Sequence, residues 1–123
     1  MDIETFRDYC LSLPGVTEAT PFEKFSRGRF TILVFYVSGH MFCYFNIDDF
    51  SEITVKCDPS RIDELKASHE AVVDPYNGNK RHWIGVRLGM DLDDDQILQL
   101  VNDSYHLVKK RVNVKSRLQS RLF

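Results

Sequence analysis

Two apolar runs separated by a short turn constrain the fold of this chain more than any other feature. The runs Phe30–Val37 and Met41–Ile47 are rich in β-branched and aromatic residues, and Ser38-Gly39 interrupts them. Such runs around a Gly-containing pair predict a β-hairpin with a tight turn. Both faces of this hairpin are apolar, which predicts either that the chain covers both faces or that one face binds a partner.

The rest of the chain predicts helices and further strands around the hairpin. Apolar residues at helical spacing predict a first helix with Asp2 as N-cap, a middle helix after Asp58-Pro59, and a long helix from Asp93 to about Val112. Further strands are predicted at Ile53–Cys57 and Trp83–Leu88. The fold class is therefore α+β: an antiparallel sheet with N-terminal, middle and C-terminal helices packed against one side.

The basic residues are concentrated near the C-terminus. All 18 acidic residues lie at or before Asp103, whereas six of the 16 basic residues follow it. The first part thus carries a net charge of −8. A chain of 123 residues fits one domain, which we assign to residues 1–112, with residues 113–123 as a basic C-terminal tail. Such a tail can bind nucleic acid or an acidic partner, or simply be solvated.

Cysteine usage and hydropathy bear on the compartment. Cys10, Cys43 and Cys57 form no C-x-x-C pair and have no metal-ligand spacing, which predicts reduced thiols and neither a metal nor a cofactor. The first residues lack the basic and apolar regions of an export signal, and no run approaches the roughly 18 apolar residues of a membrane span. We therefore predict a cytoplasmic protein without a membrane partner.

The segment Tyr76–Trp83 carries the candidate functional residues. It combines a Tyr, a possible turn residue, two adjacent cations, a His and the single Trp of the chain: Tyr76, Asn79, Lys80, Arg81, His82 and Trp83. Cations next to aromatic rings suit nucleic acid, because cations bind phosphates and rings stack on bases. The alternative is structural: Trp83 belongs to the core, Asn79 closes a turn and the cations are solvated.

Three other groups of residues are candidates for binding or for catalysis. Arg27 and Arg29 flank Gly28 in a possible second basic loop, and Lys115 and Arg117 lie in the tail. Cys57 and His82 could meet as nucleophile and base, but a buried thiol beside a hydrogen-bonded His explains them as well. No phosphate-binding Gly-rich loop or known catalytic motif occurs.

Several spaced motifs resemble the MmcQ/YjbR family in the family's own order. The resemblance covers about Phe6 to Val112, and its motifs are Leu13–Glu18, Pro21-Phe22, Val55–Pro59, Asn79–Trp83 and Asp103–Val108. It implies a frataxin-like, CyaY-like α+β domain of bacterial cytoplasmic origin, of unknown function and described as DNA-binding through a double wing of β-hairpins. The chain departs from the family pattern around Tyr76, where Pro75 and Asn77-Gly78 replace a Gly and a His-Met pair.

Together these observations lead to two functional hypotheses. The first is a non-enzymatic protein that binds DNA or another nucleic acid through its basic loops and tail. The second is a protein-interaction or homodimerisation module that uses the apolar hairpin and Leu118–Phe123.

Overall fold

A computed structural model describes residues 1–23, 27 and 31–122 of the chain, with the side chains of the last helix described as far as Arg111. These residues contain a six-stranded sheet and three helices of ten or more residues, which confirms the α+β class. In chain order the elements are α1 (Ile3–Ser12), β1 (Val16–Ala19), β2 (Ile32–Val37), β3 (His40–Asn46), β4 (Glu52–Lys56), α2 (Pro59–Ser68), β5 (Val72–Val73), β6 (Trp83–Arg87) and α3 (Asp94–Leu122).

The sheet is antiparallel throughout, with the strand order β1-β2-β3-β4-β6-β5. The predicted hairpin is β2–β3, and Ser38 and Gly39 in its turn have φ angles of 52° and 78°. Two successive positive φ angles give a turn whose twist matches that of the flanking strands. The local chemistry of Ser38-Gly39 thus determines where the chain reverses.

The three helices contribute to one core on one face of the sheet. Phe6 of α1, Ile62 of α2 and Val101 of α3 belong to the same buried cluster as Phe35 and Val55 of the sheet. Successive residues of a strand point to opposite faces. Val34 and Phe35 are nevertheless both fully buried, so the chain itself covers both faces of the hairpin at this point.

Helix boundaries follow the side chains that cap them. Asp2 Oδ1 accepts a hydrogen bond from Thr5 N–H at 2.7 Å, and Asp58 Oδ1 accepts one from Ser60 N–H at 2.9 Å. At the start of α3, Asp93 and Gln96 exchange two such bonds, at 2.8 and 2.9 Å. Such capping bonds satisfy helix N–H groups that have no partner within the helix. They confirm the three predicted helix starts.

Three elements differ from the expectation, and the first is the edge strand β1 (Val16–Ala19), which was not among the predicted strands. The strand β5 has only two residues, Val72 and Val73, which is too short for a hydrophobic pattern to reveal. The helix α3 continues past Val112, where the apolar repeat predicts its end, to Leu122. Residues 113–122 contain no Gly or Pro that would stop a helix. The division of the chain at residue 112 stays a prediction.

Candidate nucleic-acid interface

Asn79 builds the turn that leads into β6. Its side-chain Oδ1 accepts a hydrogen bond from Arg81 N–H at 3.0 Å, and its carbonyl accepts from the N–H groups of His82 and Trp83 at 3.0 and 2.9 Å. Asn favours such turns because its short polar side chain can bond to the backbone two residues on. With the turn closed in this way, Lys80 and Arg81 are exposed.

The strand β3 holds the preceding part of the loop. The Tyr44 hydroxyl donates a hydrogen bond to the Asn77 carbonyl. A Cβ on Gly78 would lie 2.9 Å from the Tyr44 hydroxyl oxygen, closer than real Cβ contacts, so this approach favours Gly. Tyr76, which precedes Asn77, is 88% exposed. A fixed backbone therefore presents an aromatic ring to solvent.

Trp83 is neither a fully buried core residue nor a fully exposed stacking ring, the two alternatives that the sequence left open. It is half-buried, and its ring lies 5.6 Å from the ring of Tyr44, measured between centroids. The Lys56 ammonium lies 5.8 Å from the Trp83 ring centroid, within the range of a cation–π contact. Trp83 thus joins the loop to β3 and β4 and keeps part of its ring accessible.

Cys57 and His82 are neighbours through their backbones. Cys57 N–H donates to the His82 carbonyl at 2.8 Å, and the Cys57 thiol lies 3.6 Å from the Asp58 carbonyl. Burial raises the pKa of the Cys57 thiol, which opposes formation of the thiolate that a nucleophile needs. His82 Nδ1 is buried and has no hydrogen-bond partner within the described part of the chain.

Ser104 and Tyr105 of α3 fix this end of the sheet, and sequence reasoning gave them no role. Ser104 O–H donates to the Phe42 carbonyl at 2.6 Å, and Ser104 Oγ accepts from Lys56 N–H at 2.9 Å. The Tyr105 hydroxyl donates to the Pro14 carbonyl at 2.5 Å. Both residues lie in the motif Asp103–Val108 on which the family resemblance partly rests, so a signal for them was present.

Charge is separated along the strand direction. Because Trp83 pairs with Lys56 and Arg87 pairs with Glu52, the sheet has a Trp83 end and an Arg87 end. The Trp83 end carries a set of cations that we call the basic end: Lys56, Lys80, Arg81, Lys110 and Arg111. The loops at the Arg87 end carry a set of carboxylates that we call the acidic end: Asp48, Asp49, Asp91, Asp93, Asp94 and Asp95.

Carboxylates at the basic end already have partners. Asp103 pairs with Arg61 at 3.3 Å, Asp74 pairs with Lys66 at 2.6 Å, and Asp58 caps α2. The Lys66 ammonium holds the pKa of Asp74 below its usual value. The acidic surplus of the sequence therefore resides mainly at the far end of the sheet.

The remaining candidate residues do not all lie near this loop. Arg27 is exposed in the connection from Ala19 to Ile32, and the strand register places that connection at the Arg87 end. Arg29 lies outside the described residues. Lys115 and Arg117 lie in α3, where the description covers the backbone only. The structure thus unites Tyr76, Asn79, Lys80, Arg81, His82 and Trp83, and it separates Arg27 from them.

Neither a metal-binding cluster nor a membrane-spanning helix occurs in the described ranges. There, His, Cys, Asp and Glu side chains do not come together in groups of three or more that could hold a metal ion. The helices of the same ranges lack the combination of length and apolar content needed to cross a membrane.

Fold and site define a small α+β domain with a hydrogen-bonded loop that displays cations and an aromatic ring at one end of its sheet. The family model described as YjbR matches residues 11–107, and the chain belongs to this family. It is 29% identical over 107 residues to the uncharacterised protein YbdF of Escherichia coli O157:H7, covering 85% of this chain and 82% of that protein.

Solved structures show the same fold. A Deinococcus radiodurans protein with a DUF419 domain matches with a TM-score of 0.78 at 29% identity, over 88% of this chain and 78% of that one. The solution structure of a Pseudomonas syringae protein matches with a TM-score of 0.66 at 26% identity, over 87% of this chain and 92% of that one. The names of these relatives state no activity.

Proposed function

We propose that this protein binds single-stranded nucleic acid at its basic end, through the loop Tyr76–Trp83 and Lys56. The observation that carries the proposal is the separation of charge along the strands. A domain with a net acidic charge repels a polyanion unless its cations share one surface. Here Lys80 and Arg81 share a loop, and Lys56 lies on the strand that pairs with the end of that loop.

The aromatic residues support single strands over duplexes. Tyr76 is 88% exposed beside two exposed cations, and a flat exposed ring stacks on unpaired bases. The bases of a duplex are already stacked on one another, so a ring on a loop has less access to them. We therefore expect tighter binding to single-stranded than to double-stranded DNA.

Two finer expectations from the family resemblance belong to the same proposal. The turn of the β2–β3 hairpin and the loop between β5 and β6 both lie at the Trp83 end, and we assign them as the two wings of a double-wing arrangement. The helices on one face of an antiparallel sheet agree with a CyaY-like, frataxin-like fold. Three buried free thiols, Cys10, Cys43 and Cys57, suit the cytoplasm.

The proposal assigns no enzymatic activity to the protein and places the protein-interaction alternative second. The raised pKa of the Cys57 thiol argues against nucleophilic catalysis. Val34 and Phe35 are both buried within one chain, which argues against the apolar hairpin as an open docking surface. Leu118–Phe123, the other element of that alternative, lies where side chains are not described. A size that rises with protein concentration and is insensitive to salt would favour the interaction module.

The first prediction concerns the two loop cations. We expect Lys80→Ala with Arg81→Ala to raise the Kd for labelled single-stranded DNA by roughly tenfold at about 50 mM salt, because each exposed phosphate contact contributes up to about 1 kcal/mol. The difference should shrink at about 200 mM salt, where counterion release favours binding less. Fluorescence anisotropy measures both titrations.

A charge-matched control makes this test specific. Arg27→Ala with Arg87→Ala removes the same charge from exposed side chains at the Arg87 end of the sheet, where Arg87 is already paired with Glu52. We expect this control to leave Kd nearly unchanged. Equal weakening by both double variants would reduce the effect to net charge, and absence of binding by the unaltered protein at the lower salt concentration would rule out the proposed function.

The second prediction isolates stacking from charge. Tyr76→Ala should weaken single-strand binding by about 1 kcal/mol or more, the range measured for loss of one base-stacking ring. Tyr76→Phe keeps the ring and should bind like the unaltered protein. If the Phe variant were as weak as the Ala variant, the hydroxyl rather than the ring would make the contact, and the stacking role would be wrong.

A further inference from the structure

A groove at the basic end lies between the first turn of α2 and the last described turns of α3. Its volume is about 260 Å³, somewhat smaller than the range of about 300–1,000 Å³ that is usual for drug-sized ligands. The stripe of α3 that faces it consists of Leu100, Asp103, His106, Leu107 and Lys110, which the helical repeat brings onto one side. The groove therefore suits a small molecule or one unit of a larger one.

The floor of the groove is apolar. Val55 and Ile84 are each 1% exposed and Leu100 is 8% exposed, and all three line it. Its polar lining includes Arg61 and Lys110. An apolar floor with polar groups at the margin is the usual composition of a site for an organic ligand.

The charges around the groove favour an anion. Both carboxylates that line it have internal partners: Asp58 accepts bonds from Ser60 N–H and Ser60 O–H, and Asp103 accepts bonds from Gln99 and Arg61. By contrast, Lys110 forms no ion pair within the part of the chain whose side chains are described. Arg61 donates one N–H to Asp103 and keeps further N–H donors in a planar fork that matches phosphate geometry.

Two further groups add to the preference of the groove for an anion. The N-terminus of α2, a helix of ten residues, opens at the groove and contributes a partial positive charge. His106 lies one helical turn before Lys110, and an imidazole can donate a hydrogen bond to a phosphate oxygen. The cationic groups thus come from two helices, which a ligand must bridge.

We propose that this groove binds a phosphate monoester, with its phosphate between Lys110 and Arg61 and the organic part on the Val55, Ile84 and Leu100 floor. The ligand can be a free nucleoside monophosphate or the 5′-phosphorylated end of a strand, since both present the same chemistry. The groove shares Lys56 and the basic end with the proposed function. It does not use Tyr76, Lys80 or Arg81, so variants of these three residues distinguish failure of the groove from failure of the proposed function.

An NMR titration of the ¹⁵N-labelled protein with adenosine 5′-monophosphate tests the site. We expect saturable shifts of the amide signals of Cys57, Arg61 and His106 with a Kd in the millimolar range or tighter. Adenosine, which lacks the phosphate, should not saturate these signals. Lys110→Gln should weaken binding of the monophosphate by about fivefold, as expected for loss of one exposed ionic contact.

The neighbouring Lys109 provides a matched control. Its ammonium lies 5.5 Å from the Tyr105 ring centroid, and Lys109 does not line the groove. Lys109→Gln removes the same charge from the same helix and should leave the Kd for the monophosphate unchanged. Equal weakening by both variants, or equal affinity for adenosine and its monophosphate, would overturn the proposal.

Competition distinguishes the two sources of the ligand. A 5′-phosphorylated oligonucleotide that displaces the monophosphate, where its 5′-hydroxyl counterpart does not, would identify a strand end as the ligand. Displacement by neither would identify the free monophosphate. Lys80→Ala with Arg81→Ala should leave binding of the monophosphate intact, so failure of the loop to bind nucleic acid would not be mistaken for failure of the groove.

Discussion

Ser104 connects three elements through one hydroxyl. It is fully buried, donates to the Phe42 carbonyl of β3 and accepts from Lys56 N–H at the end of β4. A buried polar group that loses its partner incurs a desolvation cost that a solvated group does not. The position of Lys56, and with it the surface beside Trp83, therefore depends on this side chain of α3.

The substitution Ser104→Ala tests the contribution of this hydroxyl to stability. We expect it to lower the free energy of unfolding by about 2 kcal/mol, because it removes the partner of the buried Phe42 carbonyl and of the part-buried Lys56 N–H. Urea denaturation followed by circular dichroism measures the change. Ser12→Ala is the control, since the Ser12 hydroxyl donates to the Tyr9 carbonyl in an exposed position, and it should cost less than about 0.5 kcal/mol. Similar costs would contradict the role assigned to Ser104.

Among the elements, the loop between β5 and β6 depends on the neighbouring strand for its shape. Asn79 closes the turn locally, but the Asn77 carbonyl is held by Tyr44 of β3, 33 residues earlier in the chain. A loop fixed from two sides loses little conformational entropy when it binds a ligand. The exposure of Tyr76 is thus combined with a fixed backbone.

The corresponding prediction is that Tyr44→Phe loosens the loop and leaves the sheet intact. We expect amide hydrogen exchange of His82 and Trp83, whose N–H groups bond to Asn79, to become severalfold faster. Exchange within β2 and β3 should not change. Tyr36→Phe, which removes a hydroxyl from the adjacent strand β2, is the control. Unchanged exchange at His82 and Trp83 in the Tyr44 variant would show that Asn79 alone holds the loop.

Across the whole molecule, acidic side chains contribute to stability as hydrogen-bond acceptors. Backbone N–H groups of Ala71 and Glu70 lower the pKa of Asp91, Ser60 lowers the pKa of Asp58, and Arg7 lowers the pKa of Glu18. A carboxyl whose pKa is lower in the folded than in the unfolded state stabilises the fold at pH values above its pKa in the unfolded state. This contribution is lost as the pH falls through the folded value.

We therefore expect acid to destabilise this protein. The ordinary pKa is 3.8 for Asp and 4.5 for Glu, so stability should be nearly constant from neutral pH down to about pH 5 and fall below it. The urea midpoint measured between pH 7 and pH 3 reports the change. Asp91→Asn should flatten the decline, because it removes a carboxyl whose pKa the Ala71 and Glu70 N–H groups lower. A midpoint that rises on acidification would contradict the pKa directions.

The sequence by itself determined the features that depend on neighbouring residues. The Ser38-Gly39 turn, the caps at Asp2 and Asp58, the α+β class and the turn at Asn79 all follow from local hydrogen bonding and from periodic burial. Family membership likewise follows from short motifs. The strand β5 was not predicted because two residues are too few to show a periodic pattern. The end of α3 was predicted too early because the apolar repeat ends at Val112, whereas the helix continues to Leu122 in the absence of a helix-breaking residue.

Only the tertiary structure decided which charges act together. Pairing of β4 with β6 places Lys56 beside Trp83, whereas the path from β1 to β2 leaves Arg27 at the opposite end. The groove between α2 and α3 depends on helix packing in the same way, since it joins Arg61 to Lys110 across 49 positions of the sequence. The physical reason is that electrostatic interactions depend on distance in space, and only the strand register and helix packing set that distance.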